Sequence, residues 1–148
     1  MAGGCPVAEQ SGPLFTNTLV DVEVDSDGLT DRVTFTLGEP ASMIVNPTGT
    51  LRAIEPPFFE DGSGFEVDVL GQHHLELRMD PMSMFDDAGE PTFIGEGTHK
   101  PDMLSLKQVE LTGAFEAIYF FVIGYDGAGC VALTSDEATR TITIAIGH

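Results

Sequence analysis

Every second side chain is apolar in Val20-Asp21-Val22-Glu23-Val24, Arg32-Val33-Thr34-Phe35-Thr36-Leu37, Phe65-Glu66-Val67-Asp68-Val69, Leu75-Glu76-Leu77-Arg78-Met79 and Ile142-Thr143-Ile144-Ala145-Ile146. A period of two sends successive residues to opposite faces of a strand, one face on a core and the other in water. No stretch carries the three-to-four spacing of an amphipathic helix. The pattern therefore predicts an all-β chain.

Leu19 to Val24 and Arg32 to Leu37 flank Asp25-Ser26-Asp27-Gly28-Leu29-Thr30-Asp31, whose Asp and Gly residues supply the conformations a hairpin connection needs. Shorter strands are expected at Met43 to Val45 and Thr50 to Ile54, around a turn at Asn46-Pro47-Thr48-Gly49. Polar, glycine-bearing Glu60 to Gly64 leads into a second strand pair, Phe65 to Leu70 and His74 to Met79. Between Asp80 and Met103 the alternation stops, and connections of that length inside a domain are often functional. Leu104 to Leu111 resumes strand character, but Leu106 and Val109 differ in parity, which predicts a bulge near Lys107. Phe115 to Ile123 is apolar on both faces from Ile118 onward, as in a central strand. Val131 to Leu133 and Thr141 to Ile146 complete a set of about nine strands, pointing to an antiparallel β-sandwich or barrel. Residues 1 to 16 hold Gly, Pro, Ser and Ala without period and read as a tether, or an arm laid on the domain, preceding a domain at 17–148.

At 148 residues, 42% of them hydrophobic, the chain suits one domain. Charge narrows its partners. Asp and Glu number 24 against 6 Lys and Arg, giving a net charge of -18. Such a surface repels phosphate backbones and anionic headgroups, which disfavours nucleic acid and membrane surfaces as ligands. Many carboxylates, among them Asp21, Glu23, Glu66, Asp68 and Glu76, fall at outward strand positions and read as a solvating face. No apolar run reaches the length of a membrane-spanning helix.

The start, Met1-Ala2-Gly3-Gly4-Cys5, resembles the end of a bacterial lipoprotein signal, in which Cys5 would carry a lipid anchor. Cys130 competes with that fate, because two cysteines in an exported domain more often pair than stay apart. Both readings place the chain in the envelope or outside the cell, and a Cys5–Cys130 disulfide is the one we expect.

Candidate chemistry is sparse. Glu23-x-Asp25-x-Asp27-Gly28 with Asp31 imitates the start of a calcium loop, although Thr34 stands where the bidentate acid belongs. The plainer expectation is a hairpin turn in which Asp31 pairs with Arg32 across the strands. His73, His74 and His99 are competent zinc ligands, but neighbours on a strand point apart. No serine or cysteine sits in a recognisable nucleophile turn, no loop cradles phosphate, and tryptophan is absent. The expectation is therefore a protein that is not an enzyme and has no cofactor, with calcium at Asp25, Asp27 and Asp31 as the minority alternative. Phe58, Phe59, Met82, Met84, Phe85 and Phe93 lie outside clear strands; they either plug the open ends of the sandwich or mark a partner surface.

Taken in order, several segments carry a family likeness. Val20 through Leu37 around Asp31-Arg32-Val33-Thr34-Phe35, Gly62-Ser63-Gly64, Gly71 between two strands with Pro81 following, Gly113-Ala114-Phe115-Glu116-Ala117 with the apolar run to Ile123-Gly124, and Arg140 before the closing strand together resemble the AMIN-like domain of secreted proteins and lipoproteins. The likeness runs from about Thr18 to Ile146. It implies a β-sandwich related to AMIN domains, which bring cell-wall amidases and pilus secretins to the envelope. The expected function is then an envelope-associated recognition module for a cell-wall glycan or a neighbouring protein, binding at a loop-lined end or sheet edge. The alternatives are a calcium-dependent adhesion or carbohydrate-binding module, and a subunit of an extracellular assembly.

Overall fold

The alternating segments stack as two antiparallel sheets in the computed structural model, which describes residues 9–41 and 46–148. Its strands are β1 (Gln10–Pro13), β2 (Leu19–Ser26), β3 (Thr30–Leu37), β4 (Thr48–Ile54), β5 (Phe58–Phe59) and β6 (Glu66–Val67). They continue as β7 (His73–Asp80), β8 (Thr98–His99), β9 (Leu106–Phe115), β10 (Ile118–Tyr125), β11 (Val131–Asp136) and β12 (Thr141–Gly147). One sheet has the order β1-β4-β7-β10-β9-β8, the other β11-β12-β3-β2, and β5 and β6 form a separate ribbon.

The inward half of each alternating pattern fills the space between the sheets. Val22, Val33, Phe35, Ile142, Ile144 and Ile146 meet Leu51, Leu75, Leu77, Met79, Phe121 and Ile123. Phe35 and Phe121 touch edge-on across the interface, their ring centroids 5.0 Å apart, a favoured aromatic geometry. The sandwich is the architecture the alternation predicts. The parity slip falls at Lys107: Gln108 pairs with Gly124 and Leu106 with Tyr125, so the extra residue keeps both Leu106 and Val109 inside. A second bulge falls at Thr112, further along β9.

Three features depart from the sequence reading, and a further expected strand falls on residues that are not described. Gln10–Pro13, inside the segment read as an arm, pairs with β4, and Leu14 after it is fully buried. Thr48 and Gly49, expected in a turn, begin β4. The candidate strand Met43 to Val45 lies outside the described residues. Most consequentially, Phe65 to Leu70 does not pair with His74 to Met79; β7 runs instead between β4 and β10, while Glu66–Val67 pairs with Phe58–Phe59.

The long connection after β7 closes one side of the sandwich. Met82 is buried, and Met84, Phe93 and Met103 pack against the core, with Phe93 edge-on to Tyr119 and Phe121. Ser83 N–H donates to the Asn17 carbonyl and Ile94 N–H to that of Val20, tying this segment to the start of β2. Unpaired backbone at a strand edge invites association, and this covering removes part of it.

Candidate functional site

The chain from Glu55 to Gly71 is a roof laid across the outer face of the larger sheet. On β10, Phe121 and Ile123 point to the core, so Phe120, Val122 and Gly124 face outward. Over this face, Phe58 stacks on His74 with centroids 4.7 Å apart, and the His74 Nε2 lies 2.8 Å from the Val69 carbonyl oxygen. Asp61 N–H donates to the Thr112 carbonyl at 2.8 Å, and Leu70 N–H to Gln108 Oε1 at 2.9 Å. The apolar character of both faces of β10 follows in part, because one face meets the core while Val122 and Gly124 on the other meet the roof.

Glycine lets the roof lie this close. A Cβ on Gly124 would stand 1.7 Å from the Leu70 carbonyl oxygen. Gly71, with φ of 122°, ends the roof in a conformation that side-chain-bearing residues avoid.

The roof covers one end of the sheet and leaves the other open as a trough. The ladder sets Thr50, Arg78 and Phe120 in one row across β4, β7 and β10, and Arg52, Glu76 and Val122 in the next. With Thr48, Asp80 and Glu9, all of these but Val122 enclose about 460 Å³. Glu76 also faces a smaller hollow of about 290 Å³ under the roof, between Ile54, Phe58, Phe59 and Val122. Arg52 Nε donates to Glu76 Oε1 at 3.0 Å, Arg78 to Asp80 Oδ2 at 2.7 Å, and the Arg78 guanidinium lies 5.8 Å from the Phe120 ring centre. A polar face of paired donors and acceptors beside an aromatic ring can hold a ligand by hydrogen bonds and ring contact.

The site residues expected from sequence distribute differently. Arg32 pairs with Asp25 at 2.9 Å and Asp27 at 3.0 Å, whereas Asp31 is turned into the core. Asp27 Oδ1 also accepts the Leu29 and Thr30 N–H groups, and these bonds, then Arg32, hold its carboxyl below the usual range. The three aspartates do not converge. Among the described residues no group of three or more His, Cys, Asp or Glu is placed to hold a metal ion. Nor does Asp31 pair with Arg32: it shares the inward parity of Val33 and Phe35, which was the signal in the sequence for its true role.

That role is a clasp between the sheets. Asp31 Oδ2 accepts the Ser105 N–H at 2.8 Å and the Leu106 N–H at 2.9 Å, at the entry to β9. Its Oδ1 lies 2.7 Å from His148 Nε2, a histidine without signal in the sequence pattern. Burial pushes the Asp31 carboxyl up, but hydrogen bonds from Ser26, Leu106, Ser105 and His148 outweigh it and hold it at about 2.

His73 and His74 face opposite sides of β7, His73 against Tyr125, while His99 contacts the Glu96 carbonyl. The six apolar residues do not form one partner surface. Phe58 and Met82 are buried, Met84 and Phe93 pack on the core, and only Phe59 and Phe85 stand exposed, on separate segments. Met82, Met84 and Phe93 cover the core, which would otherwise leave its side chains in water, and Phe58 packs under the roof. Cys5 lies outside the described residues, and none of the described cysteines is free.

The family model for the AMIN-like domain matches residues 17–146. The chain belongs to the AMIN-like domain family. An AMIN-like domain is an envelope-associated module, and such domains are generally non-catalytic binding modules. In this AMIN-like domain, the glycines that carry the likeness have physical reasons to be there. Gly62 and Gly64 turn the roof, Gly71 ends it, and Gly113 and Gly124 are the floor beneath it. No helix among the described residues is long and apolar enough to cross a membrane. Neither the curated proteins nor the solved structures contain a match to the chain.

Proposed function

We propose that this AMIN-like domain is a non-enzymatic recognition module of the cell envelope or extracellular space, and that it binds its ligand across the trough on the outer sheet face. The observation that carries the reading is the half-roofed sheet: the roof shields one end of the face, and the open end presents Arg52, Arg78, Glu76, Asp80 and Phe120 together. A sheet face thus takes the place of the loop-lined end or sheet edge expected from sequence. The non-enzymatic reading is supported by the Asp31 carboxylate, which is engaged by backbone donors of the opposite sheet as well as by His148.

Purified cell wall is expected to co-sediment the intact chain equally with calcium and with a chelator, since Arg32 already occupies Asp25 and Asp27. No retention, or retention only with calcium, would overturn the proposal.

An oxidising location also accommodates a Cys5–Cys130 disulfide, which we propose in preference to a lipid on Cys5. Alkylation of the denatured, unreduced chain followed by mass measurement is expected to add no label. Two labelled thiols would rule the disulfide out.

A further inference from the structure

We propose that the trough takes an uncharged, polyhydroxylated sugar chain, with the Arg52–Glu76 and Arg78–Asp80 pairs gripping its hydroxyls and Phe120 supporting a ring face. The inference rests on the trough being the binding surface and concerns what it binds.

Three features on this face converge on that chemistry. The first is the alternation of donors and acceptors. A guanidinium offers five N–H donors and a carboxylate only acceptors, so a pair of them meets both needs of neighbouring hydroxyls, each of which gives one proton and accepts another. Arg52 commits Nε to Glu76 and Arg78 one terminal nitrogen to Asp80, which leaves each guanidinium with donors to offer. Adjacent strands stand about 4.8 Å apart, close to the width of a sugar ring.

The second is charge. The trough holds two guanidiniums against the carboxylates of Glu9, Glu76 and Asp80, within a chain of net charge -18. A phosphate or uronate polymer is repelled here, and a polycation meets both arginines. A neutral ligand incurs neither penalty. The third is the Phe120 ring, over which the Arg78 guanidinium stands 5.8 Å from the ring centre, so that an apolar surface and a hydrogen-bond donor lie side by side. The trough volume of about 460 Å³ falls among small-ligand sites.

The test titrates the isotope-labelled chain with a tetramer of N-acetylglucosamine and, in parallel, with a tetramer of galacturonate. The neutral tetramer is expected to shift the amides of Thr50, Arg78 and Phe120, with an affinity that salt leaves unchanged. Arg78→Met and Phe120→Ala should each weaken it about tenfold, the loss of one good contact, while Arg140→Met, outside the trough, should not. Melting curves identify any variant that fails to fold, and Thr50→Val then replaces it as the probe.

Tighter binding of the galacturonate tetramer, or no shift with the neutral one, overturns the sugar proposal. If wall retention still falls in the trough variants, the recognition reading survives that failure. Wall retention that is indifferent to all trough variants overturns the choice of trough itself. Retention abolished by protease treatment of the wall identifies a protein ligand and overturns the sugar proposal.

Discussion

Replacing Asp31 by asparagine is expected to lower unfolding stability by about 3 kcal/mol, the scale of removing a charged acceptor from buried donors. The side chain is fully buried and receives two backbone N–H groups from the other sheet and His148 from beyond β12. Asparagine keeps the volume but removes the charge, so the Ser105 and Leu106 amides meet a weaker, neutral acceptor and His148 faces an amide group in place of a carboxylate. For a domain of this size the loss corresponds to a melting midpoint roughly 10 °C lower.

The same residue carries a pH signature. Its folded-state value of about 2 lies below the ordinary 3.8, so its contribution is complete above about pH 4 and disappears as pH falls through the folded value. The difference in stability between wild type and Asp31→Asn should therefore shrink by about 2 kcal/mol between pH 5 and pH 2. Urea titrations of both proteins across that range check it. A difference that is flat with pH would mean that Asp31 is not ionised in the fold.

Gly124→Ala is expected to cost a further 2–3 kcal/mol, roughly the scale of overpacking a closed interior. The added methyl would meet the Leu70 carbonyl at 1.7 Å, its carbon at 2.9 Å and a Val69 methyl at 3.1 Å, and the first two are backbone that cannot rotate away. The roof must lift. Limited proteolysis should then cut between Glu55 and Gly71 in the variant before anything else, and ligand retention should change with it. Gly113→Ala is the informative contrast. There the nearest contacts of the methyl are all in the Asp61 side chain, closest at 2.6 Å to its carboxylate oxygen, a flexible end that can swing aside and leave a 3.1 Å contact with the Asp61 Cβ. Equal losses in the two variants would show that contact with the roof is not what these glycines provide.

Much of the fold was legible because periodicity reports which face a residue occupies. Val22, Phe35, Leu77 and Ile144 were placed inside by their spacing alone and are buried, and the bulge at Lys107 followed from two apolar residues three apart. Periodicity does not name the neighbour, however. Phe65-Glu66-Val67-Asp68-Val69 alternates as a strand should, yet it pairs with Phe58–Phe59 and lies over the sheet instead of within it. Nothing local distinguishes a ribbon on a sheet from a strand inside one.

The site was hidden for the same reason. Arg52, Glu76 and Arg78 sit at outward positions that the alternation shows, but Phe120 lies in a run apolar on both faces, and three strands remote in sequence bring the four together. Asp31 had the parity of a core residue, and only the fold supplies the Ser105 and Leu106 amides that let a carboxylate stay there. By itself the sequence determined an acidic, all-β sandwich of the AMIN-like type, since alternation and turn chemistry act between near neighbours. Which strands adjoin, where the roof lies, and hence the trough and the clasp, were decided by tertiary structure, because pairing over long chain separations depends on the packing of the whole.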